Sequence, residues 1–247
     1  MIETNLENKV IVIAGATGGI GSGVAKRLDK SGAVIFLIGR NEDKLISLQN
    51  ELNGQTYIYQ QDFNEIENLK NVFFYVKEKG YKADGMIYTA GVCADIPIKS
   101  VSYEEMQRNM QINYYAFVEL SKNFANRRYS NEGASIVGMS SIASIMCEKA
   151  MSQYAASKAA LNASVSTMSK EFASRKIRVN ALAPAFVDTE MAWGTAQSRS
   201  DFEDYLNSRM PYGVIPVDEV AAWAEFLLSD ISGHITGEVI KISGGMY

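Results

Sequence analysis

The chain has 247 residues, of which 47% are hydrophobic and 21% charged, with a formal net charge of -4. That length supports a sizeable core in one α/β domain spanning residues 1–247, and the acidic balance offers no general basic surface for nucleic acid. The start of the chain lacks a cationic stretch leading into an apolar one, no run approaches bilayer-spanning length, and the only cysteines, Cys93 and Cys147, lack metal-ligand spacing. A membrane protein, a disulfide framework and a metal site are therefore not expected, and a cytoplasmic protein is.

In chain order, apolar β-rich runs alternate with helical patterns. Strands are predicted at 10–14, 33–38, 56–60, 85–88, 135–138, 178–181 and 238–242. A helix around 22–29 follows the first strand, and longer helical patterns cover about 102–127 and 151–174. Alternation of this kind predicts a doubly wound α/β sheet of about seven parallel strands with helices on both faces. The segment 185–213 breaks the pattern and carries Met191, Trp193, Phe202, Tyr205, Met210 and Tyr212 among polar residues, which reads as a substrate lid.

Two motifs carry chemistry. The turn Gly15-Ala-Thr17-Gly18-Gly19-Ile20-Gly21 follows the first strand and opens a helix, so backbone amides there can face a pyrophosphate. Its Gly-x-x-x-Gly-x-Gly spacing departs from the commoner dinucleotide fingerprint, and glycine also serves ordinary strand-to-helix turns. Further on, Ser141 precedes Tyr154 and Lys158 in Tyr-Ala-Ala-Ser-Lys. A tyrosine four residues ahead of a lysine on a helix puts a phenol and an ammonium on one face. The positive charge favours phenolate and draws the phenol pKa down from about 10 toward neutrality. His234, the only histidine, receives no role.

With those motifs stand Asp62, Ala90-Gly91, Asn113, Arg178-Val-Asn-Ala, Pro184, Thr189 and Ile235-Thr-Gly, and in this order the chain resembles the short-chain dehydrogenase/reductase family over essentially its whole length. The resemblance implies a Rossmann-type fold, a nicotinamide cofactor and hydride transfer to or from a carbonyl carbon. It makes Tyr154 the general acid/base, Ser141 the hydroxyl that polarises the carbonyl and Lys158 the ribose-binding cation. Asn113 supports a proton relay in that scheme. The thirteen-residue step to Tyr154 favours Ser141 over Ser140. Cofactor contacts are expected from Gly15, Thr17, Gly18, Gly19, Ile20, Gly21, Arg40, Asn41, Asp62, Phe63, Ala90, Gly91, Pro184, Ala185, Val187 and Thr189, besides Tyr154 and Lys158. Asp62 would bond the adenine amino group or cap a following helix, and Thr189 would bond the carboxamide.

The second strand ends in Gly39-Arg40 where an NAD-using member typically places an acid. A guanidinium suits a 2′-phosphate, so NADP(H) is preferred over NAD(H). The pattern departs from the family at Ala14, Tyr88-Thr89, Ala185 and Ser243, and Ala14 with Thr89 puts in doubt a side-chain bond bracing the cofactor loop. Within the family the chain looks most like the 3-oxoacyl-[acyl-carrier-protein] reductases. A carrier-linked thioester is the leading substrate, with Arg175 and the pair Arg127 and Arg128 as candidate docking cations. Another small alcohol, sugar or secondary metabolite remains an alternative substrate, and an NADP-binding sensor without catalysis an alternative role. A homotetramer or homodimer built on the two long helices and the C-terminal segment is implied.

Overall fold

The computed structural model describes residues 4–194, 204, 206 and 208–246. Seven strands form one parallel sheet in the order β3-β2-β1-β4-β5-β6-β7. They are β1 Val10–Ala14, β2 Val34–Gly39, β3 Thr56–Gln60, β4 Ala83–Tyr88, β5 Ser130–Met139, β6 Arg178–Pro184 and β7 Val239–Ile242. The interior strands are buried on both faces, which explains why β1 and β2 read as unbroken apolar runs rather than alternating ones.

Helices cover both faces: α1 Gly19–Lys30, α2 Glu42–Asn50, α3 Lys70–Glu78, α4 Tyr103–Met110, α5 Ala116–Phe124, α6 Ser152–Glu171, the short α7 Glu190–Trp193 and α8 Val217–Leu228. One core joins Val12, Phe36, Met86 and Ile136 to Phe73, Phe117 and Leu161. The other joins Ile11, Ile13, Leu37 and Val137 to Val24, Leu28, Val220 and Leu227. A buried carboxylate locks the second layer, for Glu225 of α8 accepts from Arg27 of α1 at 2.6 Å and is nearly inaccessible.

Two predicted elements differ in form. The pattern over 102–127 is not one helix, because residues Gln111–Tyr115 widen into a π-turn between α4 and α5. The strand predicted at 135–138 extends back to Ser130, its register shifting between Ala83 and Gly85 of β4. Strand order reverses between β1 and β4, and the loops leaving their carboxyl ends make the crevice where ligands bind in open α/β sheets.

Candidate active site

At one side of this crevice the chain turns sharply from β1 into α1. Gly15 has φ +87°, and a Cβ there would lie 2.4 Å from the Ala90 amide nitrogen, so the turn can approach the β4 loop only without a side chain. Thr89 supplies the brace that the sequence put in doubt. Its hydroxyl reaches the carbonyls of Ala14 at 3.0 Å and Gly15 at 3.1 Å, from the β4 side rather than from the turn itself.

Gly18 caps α1 in an extended conformation, with no side-chain cap and no acid in the first turn. The amides at that helix start are therefore open to an anion, and Gly18 and Gly19 are exposed beside them. Thr189 faces the same turn, since a Cβ on Gly19 would fall 2.6 Å from its methyl. Its hydroxyl caps α7 by accepting from Ala192 N at 3.4 Å.

The carboxyl end of β2 carries the residues expected at the adenosine end. Arg40 is exposed, and among the described residues its guanidinium has no hydrogen bond or ion pair. Thr17 lies near Gly39, while Asn41 caps α2 through Lys44 N at 2.9 Å. Asp62 does not cap a helix. Its carboxylate accepts from the backbone and side chain of Asn64, at 2.9 and 3.0 Å, closing a local turn before the next helical residue. Phe63 is buried against Tyr88. Pro184 ends β6, Ala185 N donates to Ile242 O at 2.8 Å, and Val187 pairs with Ile215. The residues present fit a nicotinamide dinucleotide, with bare helix amides for phosphates and a free cation at the adenosine end.

Opposite the glycine turn, α6 carries Tyr154 and Lys158 on one face. The Lys158 ammonium lies 5.7 Å from the Tyr154 ring centroid and donates to Met139 O at 2.8 Å, at the end of the strand leading to Ser141. Burial brings the Lys158 pKa down to about 8, opposed by Cys93. Burial is also the first cause pushing Tyr154 up to about 12; Cys93 adds to it and a hydrogen bond with Ser141 opposes it. The expected depression of the phenol by Lys158 is not present in this arrangement, where the ammonium is turned to a carbonyl. Ser141 begins a 3₁₀ turn over Ile142–Ser144, its Oγ accepting from Ala143 N at 3.2 Å. Ser140 instead donates its N–H to Leu182 O at 2.7 Å, a structural task.

Asn113 sits inside the π-turn, fully buried. Its Oδ1 accepts from Val92 N at 2.8 Å, and its Nδ2 donates to Val92 O at 3.0 Å and to Ser157 Oγ at 2.9 Å. Ser157 donates onward to the Tyr154 carbonyl at 2.7 Å. Gly91 completes the convergence, because a Cβ there would come within 3.3 Å of Asn113 Oδ1 and 3.4 Å of Lys158 Nζ. Thus Gly91, Asn113, Ser141, Tyr154 and Lys158 meet in one place.

Sequence reasoning gave no role to Cys93, a neighbour of Tyr154 and Lys158; burial, then Asp95, push its thiol up to about 11, against the pull of Lys158. It lines a cavity of about 160 Å³ together with Asn109, Arg108 and Met191. No spacing signal marks it. A larger groove of about 660 Å³ runs along Ala155, Ala156 and Ala159 of α6, and neither Tyr154 nor Ser141 lines it.

The lid reading falls partly on 195–203, 205 and 207, including Phe202 and Tyr205, which lie outside the described residues. At its near end Trp193 packs edge-on against Phe186 at 5.0 Å and donates to Asp188 at 2.6 Å. Met210 is buried in the core, whereas Met191 and Tyr212 are exposed. The expectation for Arg175 needs correction. Its guanidinium donates to Ala125 O at 2.6 Å, Ser130 Oγ at 3.0 Å and Ser130 O at 2.8 Å, tying the end of α5 to the start of β5. Arg127 and Arg128 are exposed. None of the described helices is long and apolar enough to cross a membrane.

The fold agrees with known proteins. A family model described as enoyl-(acyl carrier protein) reductase matches residues 15–247. The chain belongs to the short-chain dehydrogenase/reductase family and is a nicotinamide-dependent oxidoreductase. Among the relatives it resembles, the 3-oxoacyl-[acyl-carrier-protein] reductase FabG of Rickettsia felis is 32% identical over 243 residues, covering 98% of each chain. The enzyme of the same name from Thermotoga maritima is 31% identical over 245 residues, again covering 98% of each. The solved structure of a short-chain type dehydrogenase/reductase from Mycobacterium ulcerans superposes with a TM-score of 0.90 at 27% identity, covering 98% of this chain and 90% of that one.

Proposed function

We propose that the protein is an NADPH-dependent reductase of a 3-oxoacyl thioester, with Tyr154 as general acid. The observation that carries this reading is the meeting of Ser141, Tyr154, Lys158 and Asn113 beside an uncapped, acid-free helix start. When bound, the nicotinamide supplies hydride to the carbonyl carbon. Ser141 donates a hydrogen bond to the substrate oxygen, and Tyr154, held protonated at neutral pH by burial, delivers the proton that the oxygen needs as it becomes an alcohol. Lys158 holds the ribose and restores charge balance near the phenol, while Asn113 fixes the π-turn to the β4 loop and, through Ser157, to the first turn of α6. Arg40 carries the preference for NADP(H), since its free guanidinium suits a 2′-phosphate. The carboxyl of Asp62 and the hydroxyl of Thr189 serve the adenine and carboxamide ends.

A carrier-linked substrate would dock through the exposed pair Arg127 and Arg128 rather than Arg175, whose bonds are internal. Residues 185–213 would close over the substrate, and the assembly would be a homotetramer joined through the α4–α5 and α6 faces and the C-terminal segment, within the cytoplasm. The test is oxidation of NADPH by a 3-oxoacyl thioester at neutral pH, beside NADH and beside Tyr154→Phe. Turnover with NADPH that is lost in the variant supports the reading. Bound NADPH without turnover overturns the substrate and directs the search to cyclic ketones, sugars and other alcohols.

A further inference from the structure

Behind Ser141 a chain of hydrogen bonds leads back to α6. Ser144 closes the 3₁₀ turn, its N–H donating to the Ser141 carbonyl at 3.0 Å and its hydroxyl donating to the same oxygen at 2.6 Å. That hydroxyl accepts in turn from Asn162 Nδ2 at 2.8 Å. Asn162 stands four residues beyond Lys158 on α6, one turn further along the same face. Beyond the turn, Ile145 and Cys147 are exposed, so the Asn162 amide is a tether between its far end and the helix that bears Tyr154.

The other end of this amide is conspicuous. Asn162 Oδ1 is sealed from solvent and has no hydrogen-bond partner among the described residues. A buried acceptor left unpaired lowers stability, and an apolar side chain of the same shape would avoid that loss. Packing alone therefore does not account for asparagine here; its donor to Ser144 does.

We infer that Asn162 is a positioning residue, holding Ser144 and through it the backbone of Ser141, so that the Ser141 hydroxyl points at the reacting carbonyl and at Tyr154. The inference rests on the proposed role of Ser141. Because Ser141 Oγ already accepts from Ala143 N, its own hydrogen is left to donate outward, and its direction depends on the turn keeping its shape. Hydrogen-bond geometry at a reacting group is sensitive to displacements of an ångström or less.

The experiment compares Asn162→Leu, Ser144→Ala, their double variant and Ser141→Ala by melting temperature, KM for NADPH and kcat for thioester reduction. Asn162→Leu keeps the shape of the side chain and removes the unpaired acceptor, so its melting temperature is expected to hold or rise while kcat falls about 10- to 100-fold with KM for NADPH unchanged. Ser144→Ala is expected to lose a similar factor and the double variant no more than either, because both break one chain. Should the leucine variant fail to fold, Ser144→Ala, which keeps the Ser144 N–H bond, carries the same test. Wild-type kcat in Asn162→Leu, with Ser141→Ala inactive, overturns this inference alone. Wild-type kcat in Ser141→Ala overturns both it and the reading beneath it. A kcat loss that tracks a lowered melting temperature and a raised KM marks a structural role and also overturns it.

Discussion

The first turns of α1 and of α6 lie at the same edge of the sheet yet present opposite chemistry. At α1 the chain offers backbone amides: Gly18 and Gly19 are exposed, no side chain caps the helix, and no acid lies in its first turn. At α6 it offers enclosed side chains, with Ser157 and Lys158 almost without solvent contact and the Tyr154 phenol pushed up by burial. Holding an anion needs donors that are close and unobstructed, which absent side chains provide. Moving a proton needs a group whose pKa is shaped by burial and neighbours, which only side chains provide. Substitutions at α1 should therefore act on binding through shape, and those at α6 on turnover through chemistry.

Tyr154→Phe is the strongest way to break this comparison. It is expected to lower kcat for carbonyl reduction by roughly 100- to 10,000-fold while NADPH still binds, as fluorescence titration would report. A comparable loss of NADPH binding would show that the α6 side chains serve the cofactor's hold rather than the chemistry. Next comes Gly15→Ala, which places a Cβ 2.4 Å from Ala90 N at φ +87°. Backbone strain of about 1–3 kcal/mol is expected to appear as a lower melting temperature and a raised KM for NADPH with little change in kcat.

Arg40→Ala sharpens the binding side. Losing a charge-assisted contact of about 1.5–3 kcal/mol should raise KM for NADPH roughly 10- to 100-fold and leave NADH unaffected. Equal effects on both cofactors would remove Arg40 from phosphate recognition.

The pH profile separates the two α6 groups. Lys158 sits near a pKa of about 8 and Tyr154 near about 12, so the ammonium loses its proton as pH rises through 8 while the phenol keeps its own. Reduction is expected to stay level below pH 8 and to fall by about tenfold per unit well above it. A profile level to pH 10 would sink the requirement for charged Lys158. The smallest effect belongs to Thr89→Val, which removes the hydroxyl from the Ala14 and Gly15 carbonyls. With about 1 kcal/mol lost, KM for NADPH should rise a few-fold and kcat should hold.

Much of the fold was legible because parallel strands buried on both faces are long apolar runs, and β1 and β3 begin and end where the pattern places them. The Tyr154 and Lys158 pairing was legible for a similar reason: four residues on a helix always share a face. The π-turn was not, since no proline or glycine interrupts residues 102–127, and the wider turn shows itself only when Asn113 meets Val92 and Ser157. Arg175 was misread because a surface cation and one that donates to carbonyls look alike in sequence. Thr89 gained its task from carbonyls far back along the chain.

By itself, then, the amino-acid order determined the alternation of strands and helices, the glycine turn and the face shared by phenol and ammonium, because these depend on backbone sterics and on periods of two and 3.6 residues. Tertiary structure alone decided where the hydrogen bonds of those groups go: Lys158 to the Met139 carbonyl, Thr89 to the glycine turn, Asn162 to Ser144. A donor or acceptor shut away from water must find its partner among whatever atoms folding brings near, and no local period encodes which atoms those are.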